Sequence, residues 1–225
     1  MGFTNVDELP VTLATIMDKI VKGIPLKEKE GILRNSEGMD LVPSNIDLES
    51  MEVGLVNVMS REYTLKRYIN SIKEGYDYIL IDCRPSLGML TINALATSDS
   101  VIIPVQAHYL PLKGMTGLIQ TINKVKEQIN PNLKIDGVLL TLADMKTRIG
   151  RTVAETLEKS YGSRMKIYST VIPMGVKAVE ASSGGKSLSI YAENSKPALA
   201  YKEFAKEVLK SDEKQRNKLK STQCR

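Results

Sequence analysis

The sequence predicts an α/β fold, a mostly parallel sheet flanked by helices. Short β-rich apolar runs recur at 78–81, 100–105, 135–141 and 166–172. Stretches with apolar residues at helical spacing lie between them, as in Leu118, Ile122, Val125 and Ile129. The run Tyr78-Ile79-Leu80-Ile81 is continuous rather than alternating, the pattern of a strand covered on both faces. Strands that alternate with helices argue for parallel pairing through right-handed crossovers.

Each element has its own signal. Leu13, Ile16, Met17 and Ile20 set an amphipathic helix to about residue 22, ended by Gly23 and Pro25. The charged stretch 27–35 reads as a loop or short helix. Residues 39–43 read as a short strand before a Pro43-Ser44-Asn45 turn. Residues 48–72 are helical in two pieces, with Leu65, Tyr68, Ile69 and Ile72 inward in the second, and Gly75 closes them. After the 78–81 strand, Pro85 stops it and Ser86 can cap a helix over 86–96. Helices follow at 111–129, 152–161 and 176–181. The last, 197–209, turns Tyr201, Phe204, Ala205 and Val208 inward. No linker or internal repeat interrupts the chain, so 1–210 reads as a single domain and 211–225 as a basic polar tail.

Composition bounds the function. The chain has 225 residues and a formal charge of +5, with no Trp and two Phe, so its core is mostly aliphatic with Met and Tyr. That charge is compatible with weak attraction to nucleic acid or an anionic membrane and proves neither. No apolar run reaches membrane-spanning length. Cys83 and Cys224 sit in different settings, one expected beside a buried strand end and one on the tail, which argues against a disulfide or a zinc site with His108, the one histidine. His108 has no evident nucleophile partner and reads as a loop residue.

Asp82 follows the 78–81 run, at the carboxyl end where open α/β sheets place ligands. An acid there can hold Mg²⁺ beside nucleotide phosphates, or can simply end a strand. The stretch Asp82-Cys83-Arg84-Pro85-Ser86-Leu87-Gly88, the T-x-N-A-L of Thr91 to Leu95, and Ile103-Pro104-Val105-Gln106 together resemble the Walker B region of the ParA/Soj partition ATPases, relatives of MinD. The resemblance continues through Gly137 to Thr141 and Val171-Ile172-Pro173 to Lys186, and so covers most of the chain.

The resemblance implies an incomplete P-loop NTPase-like fold. The family carries K-G-G-x-x-K-T near its N-terminus and then a strand ending D-x-D-P-Q; neither motif occurs here. Both belong to a strand–helix–strand unit of on the order of 30 residues. In the related fold the phosphate-loop strand lies beside the Asp82 strand. The expectation is therefore a fragment or misplaced start, a degenerate product, or a gap that another chain fills. Ser182-Ser183-Gly184-Gly185-Lys186-Ser187 mimics the end of such a loop, but Glu180 stands where its first glycine is required. It reads as a Gly-Ser surface turn.

Carried over residue by residue, the resemblance makes Asp82 the Mg²⁺ acid and Asp144 and Pro173 the nucleotide base pocket. Asp144 can instead cap the next segment. Arg84, which departs from the family pattern, is a phosphate contact or a variable turn residue, and Lys177 and Lys186 are nonspecific DNA contacts or solvated surface lysines. Met174 stands where an arginine is common. The implied cofactors are ATP and Mg²⁺. The implied partners are a ParB-like protein, nonspecific DNA and a full-length ParA, with no membrane. The implied place is the bacterial cytoplasm, on the nucleoid, and the implied role is chromosome or plasmid partitioning. This chain is expected not to hydrolyse ATP alone. The alternatives are a non-enzymatic pseudo-ATPase that regulates or pairs with a full ParA, and a MinD-like membrane-positioning ATPase, which the polar tail disfavours.

Overall fold

The computed structural model describes residues 6–84, 86–107 and 109–223, with side chains at 7–84, 86–107 and 114–213. Met1 to Thr4, Pro85, His108, Cys224 and the basic side chains from Lys214 onward lie outside the described residues. The chain forms two compact units, Gly2–Val101 with Gly117–Lys134, and Ile102–Thr116 with Ile135–Arg225.

The first unit is mainly helical. It holds α1 (Leu13–Val21), a two-stranded antiparallel ribbon of β1 (Leu33–Arg34) and β2 (Asp40–Leu41), α2 (Asp47–Gly54), α3 (Thr64–Ile72) and α4 (Met89–Thr97). Gly23 ends α1 at φ +70, a conformation glycine adopts without strain. The predicted apolar stripes meet in one core, with Ile16, Leu65, Tyr68 and Ala94 buried and Leu13, Ile20, Ile69, Ile72 and Ile81 packed around them. Buried polar groups lock this core. The Tyr68 hydroxyl donates to the Glu30 carbonyl at 2.8 Å. Asn93, fully buried on α4, accepts from the Leu65 amide at 3.0 Å and donates to the Arg61 and Met89 carbonyls at 2.9 and 3.0 Å.

The predicted strand at 78–81 does not form. Among the described residues no strand pairs with 76–84, which carry no regular secondary structure. Leu80 is 88% exposed and Tyr78 is 47% exposed. A β-former sequence becomes a strand only where a neighbour supplies the ladder, and no described strand lies beside this stretch. Cys83, expected beside a buried strand end, is correspondingly exposed.

The cap of α4 also differs from expectation. Gly88 is the N-cap residue, and the Glu52 carboxylate on α2 accepts from the Met89 amide and, at 3.1 Å, from the Leu90 amide. A carboxylate satisfies orphan amides at the positive end of a helix dipole better than the Ser86 hydroxyl would. The Glu52 carboxylate lies directly against Gly88, so a side chain there would displace this cap.

The second unit is built on a three-stranded sheet ordered β3-β4-β5, from β3 (Ser100–Gln106), β4 (Lys134–Ala143) and β5 (Ile167–Pro173). β4 and β5 are parallel, as predicted. α5 (Tyr109–Gln128) has residues 109–116 in this unit and 117–128 in the first, and the remaining helices are α6 (Arg148–Tyr161), α7 (Val176–Ser183), α8 (Leu188–Tyr191) and α9 (Lys196–Gln223). One side of the sheet packs Leu140 and Ala143 against Val153 and Ala154 of α6. Another cluster joins Leu139, Tyr168 and Ile172 with Ala200, Phe204 and Val208 of α9.

α9 corrects two expectations. Its inward residues are Ala200, Phe204 and Val208, whereas Tyr201 is 47% exposed and Ala205 is exposed. The helix also runs on past Leu209, because the following Lys, Glu, Gln and Arg residues are good helix formers and no Gly or Pro interrupts them. The Tyr168 and Phe204 rings meet edge to face at 4.8 Å.

Glu207 fastens α9 to β5. Its carboxylate accepts from the amides and hydroxyls of both Ser169 and Thr170, at 3.0–3.2 Å. These residues lie where β5 has extra residues against β4, since Val138 faces Ile167 and Leu140 faces Val171. Burial pushes the Glu207 carboxyl up, but the four hydrogen bonds outweigh it and hold the group below its ordinary value of 4.5. A depressed carboxyl stabilises the fold above pH 4.5 and loses that contribution as pH falls through the folded value. Glu207→Gln is therefore expected to lower stability by about 1–2 kcal/mol at pH 7. Thermal unfolding should show that deficit narrowing as pH falls below 4.5. Among the described residues no helix is long and apolar enough to cross a membrane.

Candidate functional site

In the first unit the residues of interest lie on the turn into α4. The Asp82 carboxylate is exposed. Arg84 pairs with Glu49 of α2, both side chains well exposed, so the pair contributes little energy and mainly occupies the guanidinium. The Cys83 thiol is pushed up, by desolvation first and by the Asp82 charge second, so it is not an activated nucleophile. Among the described residues no three His, Cys, Asp or Glu side chains group as a metal site. A cation at Asp82 would therefore take its other oxygens from a ligand or water.

In the second unit, the β4–β5 register pairs Ala143 with Pro173. Asp144 follows Ala143, so it and Pro173 both lie at the carboxyl edge of two parallel strands, where α/β sheets hold ligands. The edge is shaped by an irregularity. The register shifts between Leu140 and Ala143, and Leu142 has φ +49, a left-handed backbone rare for a leucine. Bulges of this kind re-aim strand ends next to binding sites. The Asp144 side chain accepts from the Lys146 amide at 3.0 Å, while Thr147 caps α6 by accepting from the Gly150 amide at 3.1 Å. Asp144 thus orders the turn before α6, and its exposed carboxylate retains further acceptor capacity.

The two lysines stand apart in character. Lys177 on α7 pairs with Glu180 at 2.8 Å, and that hydrogen bond raises its pKa. Glu180 also accepts from the Tyr191 hydroxyl at 3.0 Å. Lys186 is exposed and follows the turn at the end of α7. This turn is a helix C-cap. Gly185 takes φ +62, and the Lys186 amide donates back to the Ala181 carbonyl at 3.1 Å. Phosphate loops present amides at a helix N-terminus, whereas this turn closes a C-terminus with its carbonyls. The glycine-rich turn is therefore not a phosphate cradle.

Sequence reasoning missed three contributors to these edges: Glu49, Glu52 and the Leu142 bulge. Glu49 and Glu52 act across more than thirty residues of chain. Leucine at positive φ has no sequence signature.

Comparison with known proteins agrees with the motifs. Residues 5–135 match the AAA domain family model AAA_31. The chain is 47% identical over 172 residues to the sporulation initiation inhibitor protein Soj of Bacillus subtilis, covering 76% of this chain and 67% of that protein. It is 37% identical over 200 residues to the chromosome partitioning protein ParA of Myxococcus xanthus, covering 88% and 69%. Among solved structures it resembles cobyrinic acid a,c-diamide synthase from Mycobacterium smegmatis with bound ADP and magnesium, at 33% identity and TM-score 0.75, covering 91% of this chain and 74% of that one. Against its curated relatives the chain spans between about half and about two thirds of their length. The chain belongs to the ParA/Soj family of partition proteins.

Proposed function

We propose that the chain serves DNA partitioning as a ParA-like protein, with Asp144 and Pro173 forming an adenine-binding edge and Asp82 serving as the acid for a nucleotide-bound Mg²⁺. The observation that supports this reading is the parallel β4–β5 register, in which Ala143, the residue before Asp144, pairs with Pro173 at a carboxyl edge. A carboxylate there can accept from the adenine amino group while the proline ring covers a base face. The Mg²⁺ role of Asp82 is supported by its exposed carboxylate in the D-C-x-P-S-L-G stretch. The residues fit the base and the cation but supply no phosphate cradle among those described, so no hydrolytic step is assigned to this chain.

The DNA-facing residues in this reading are Lys177 and Lys186, which neutralise phosphate without reading sequence. Lys177 must first exchange Glu180 for phosphate. Arg84 makes the corresponding exchange with Glu49 if it meets a nucleotide phosphate. The partners are nonspecific DNA, a ParB-like protein and a full-length ParA, and the place is the cytoplasm, on the nucleoid. The second reading is a pseudo-ATPase that pairs with a full-length ParA. Capture of full-length ParA without ATP turnover distinguishes it.

The test is titration with adenosine and with ATP·Mg²⁺, followed by amide shifts in NMR. Both ligands are expected to perturb 143–145 and 173–174, because both carry the base. Asp144→Ala should weaken both by about 5–10-fold, the worth of one hydrogen bond. Absence of those shifts overturns the base pocket. ATP turnover that disappears in Asp82→Ala overturns the expectation that this chain does not hydrolyse ATP alone.

A further inference from the structure

Between residues 176 and 202 the chain carries four lysines and two acids. The lysines, Lys177, Lys186, Lys196 and Lys202, are all exposed. Lys177 is engaged: its ammonium donates to a Glu180 carboxylate oxygen at 2.8 Å. The Tyr191 hydroxyl donates to the same oxygen at 3.0 Å. The ammonium also lies 5.8 Å from the centre of the Tyr191 ring, within reach of its π face. One carboxylate oxygen thus gathers a cation from α7 and a phenol from α8. These bonds, Lys177 first and Tyr191 second, hold the Glu180 carboxyl below its ordinary value of 4.5, so it is ionised at neutral pH. Lys177 stands in the first turn of α7, where the helix dipole opposes a cation and favours an anion beside it. Glu180 meets that need, and a phosphate would meet it equally.

We propose that Glu180 is a resident competitor for DNA phosphate at Lys177, anchored by Tyr191, and that it keeps binding at this position weak and quickly reversed. The inference rests on the reading of Lys177 as a DNA contact and adds how that contact is regulated. A carboxylate and a phosphate on one ammonium repel each other, so one displaces the other. The Lys177–Glu180 pair is largely exposed. Such a pair is weak enough for a phosphate to break and strong enough to change the affinity measurably. After the exchange Glu180 keeps only the Tyr191 bond and lies uncompensated beside a polyanion. It then gathers a counterion of its own. A lysine taken from a carboxylate therefore gives less net counterion release than a free one, and DNA binding is less sensitive to salt.

The experiment follows binding of the 225-residue chain to a fluorescein-labelled DNA duplex of mixed sequence by anisotropy, over a range of salt. Glu180→Gln removes the charge and keeps the shape. It is expected to tighten binding about fivefold at low salt and to steepen the salt dependence by about one phosphate contact. Glu193→Gln makes the same change of charge at an exposed acid two residues beyond Tyr191 and should gain about twofold at most. Tyr191→Phe alters no charge but frees the carboxylate, and should gain about twofold. Lys177→Ala should cost the unmodified chain about twofold at most and should erase the gain of Glu180→Gln. All four side chains are at least partly exposed, so the variants retain the fold. Three results overturn the inference while leaving Lys177 as a DNA contact: a gain from Glu180→Gln no larger than that from Glu193→Gln, an equal loss from Lys177→Ala with and without the Glu180 charge, and no gain from Tyr191→Phe. A Lys177→Ala change without effect in either background, or a chain that binds no DNA, overturns the DNA reading and the inference with it.

Discussion

Replacing Asn93 by Asp is expected to destabilise the first unit by about 3–5 kcal/mol at neutral pH. Asn93 is fully buried and uses both ends of its amide. Its oxygen accepts from the Leu65 amide at the start of α3, and its nitrogen donates to the Arg61 and Met89 carbonyls. An aspartate keeps the acceptor but aims a charge at two carbonyl oxygens without a proton to share. The carboxyl would then prefer its protonated form, so its folded pKa would exceed its unfolded value. The penalty is therefore smallest at low pH and grows as pH rises through the unfolded carboxylate range. Asn93→Leu, similar in size, orphans the Leu65 amide instead and should cost about 2–3 kcal/mol with no such pH dependence. Urea unfolding of both variants between pH 4 and 8 checks this. A flat profile for the aspartate variant would remove the electrostatic account.

Tyr68→Ala is expected to cost about 3–5 kcal/mol, the range for emptying a buried aromatic site. Tyr68 is 1% exposed, lies in the core with Ile16 and Leu65, and ties α3 to the Glu30 carbonyl. Tyr68→Phe keeps the packing and loses that bond, for about 1 kcal/mol. The phenol also sets an alkaline limit. Burial, then the nearby Tyr76 and Glu30 charges, push it up from 10.0 to about 12. A group raised in the folded state stabilises it fully below the unfolded pKa and is lost as pH climbs toward the folded one. The chain should therefore lose stability between pH 10 and about 12. Tyr68→Phe should lose less over the same window, because Tyr76 and Tyr168, also raised, still titrate. Denaturation curves at pH 9 and pH 11 compare the two proteins directly.

The parts of the fold that are legible in the sequence are those in which one element decides its own fate. The stripe Leu13, Ile16, Met17 and Ile20 specifies α1, and Leu65, Tyr68, Ile69 and Ile72 specify α3, because helical periodicity is local and the core takes whatever face it offers. The parallel pairing of β4 and β5 followed from the alternation of strands with helices. The 78–81 run was misread for the opposite reason. Its composition satisfies a strand, but a strand is a property of a pair. The cap of α4 was assigned to the nearest hydroxyl, Ser86, although a carboxylate 37 residues away from Met89 in sequence does the work. The role of Asn93 was hidden in the same way, since its Leu65 partner lies 28 residues away. At the candidate site, Asp144 and Pro173 are proposed from a family resemblance, and the pairing of Ala143 with Pro173 is a matter of register. The Leu142 bulge that shapes that edge carries no sequence mark.

The Glu207 carboxylate has a consequence for how this protein behaves at high concentration. Among the described residues β5 pairs with β4 alone, so its outer side presents a row of backbone donors to a passing chain. Glu207 fills the amides of Ser169 and Thr170 and brings a negative charge to that margin. Chains cut before residue 207 would lose this guard together with the packing of Val208. Such products are expected to associate edge to edge and fall out of solution even where the rest of the sheet is intact, so the α9 latch works as protection against aggregation as well as a source of stability.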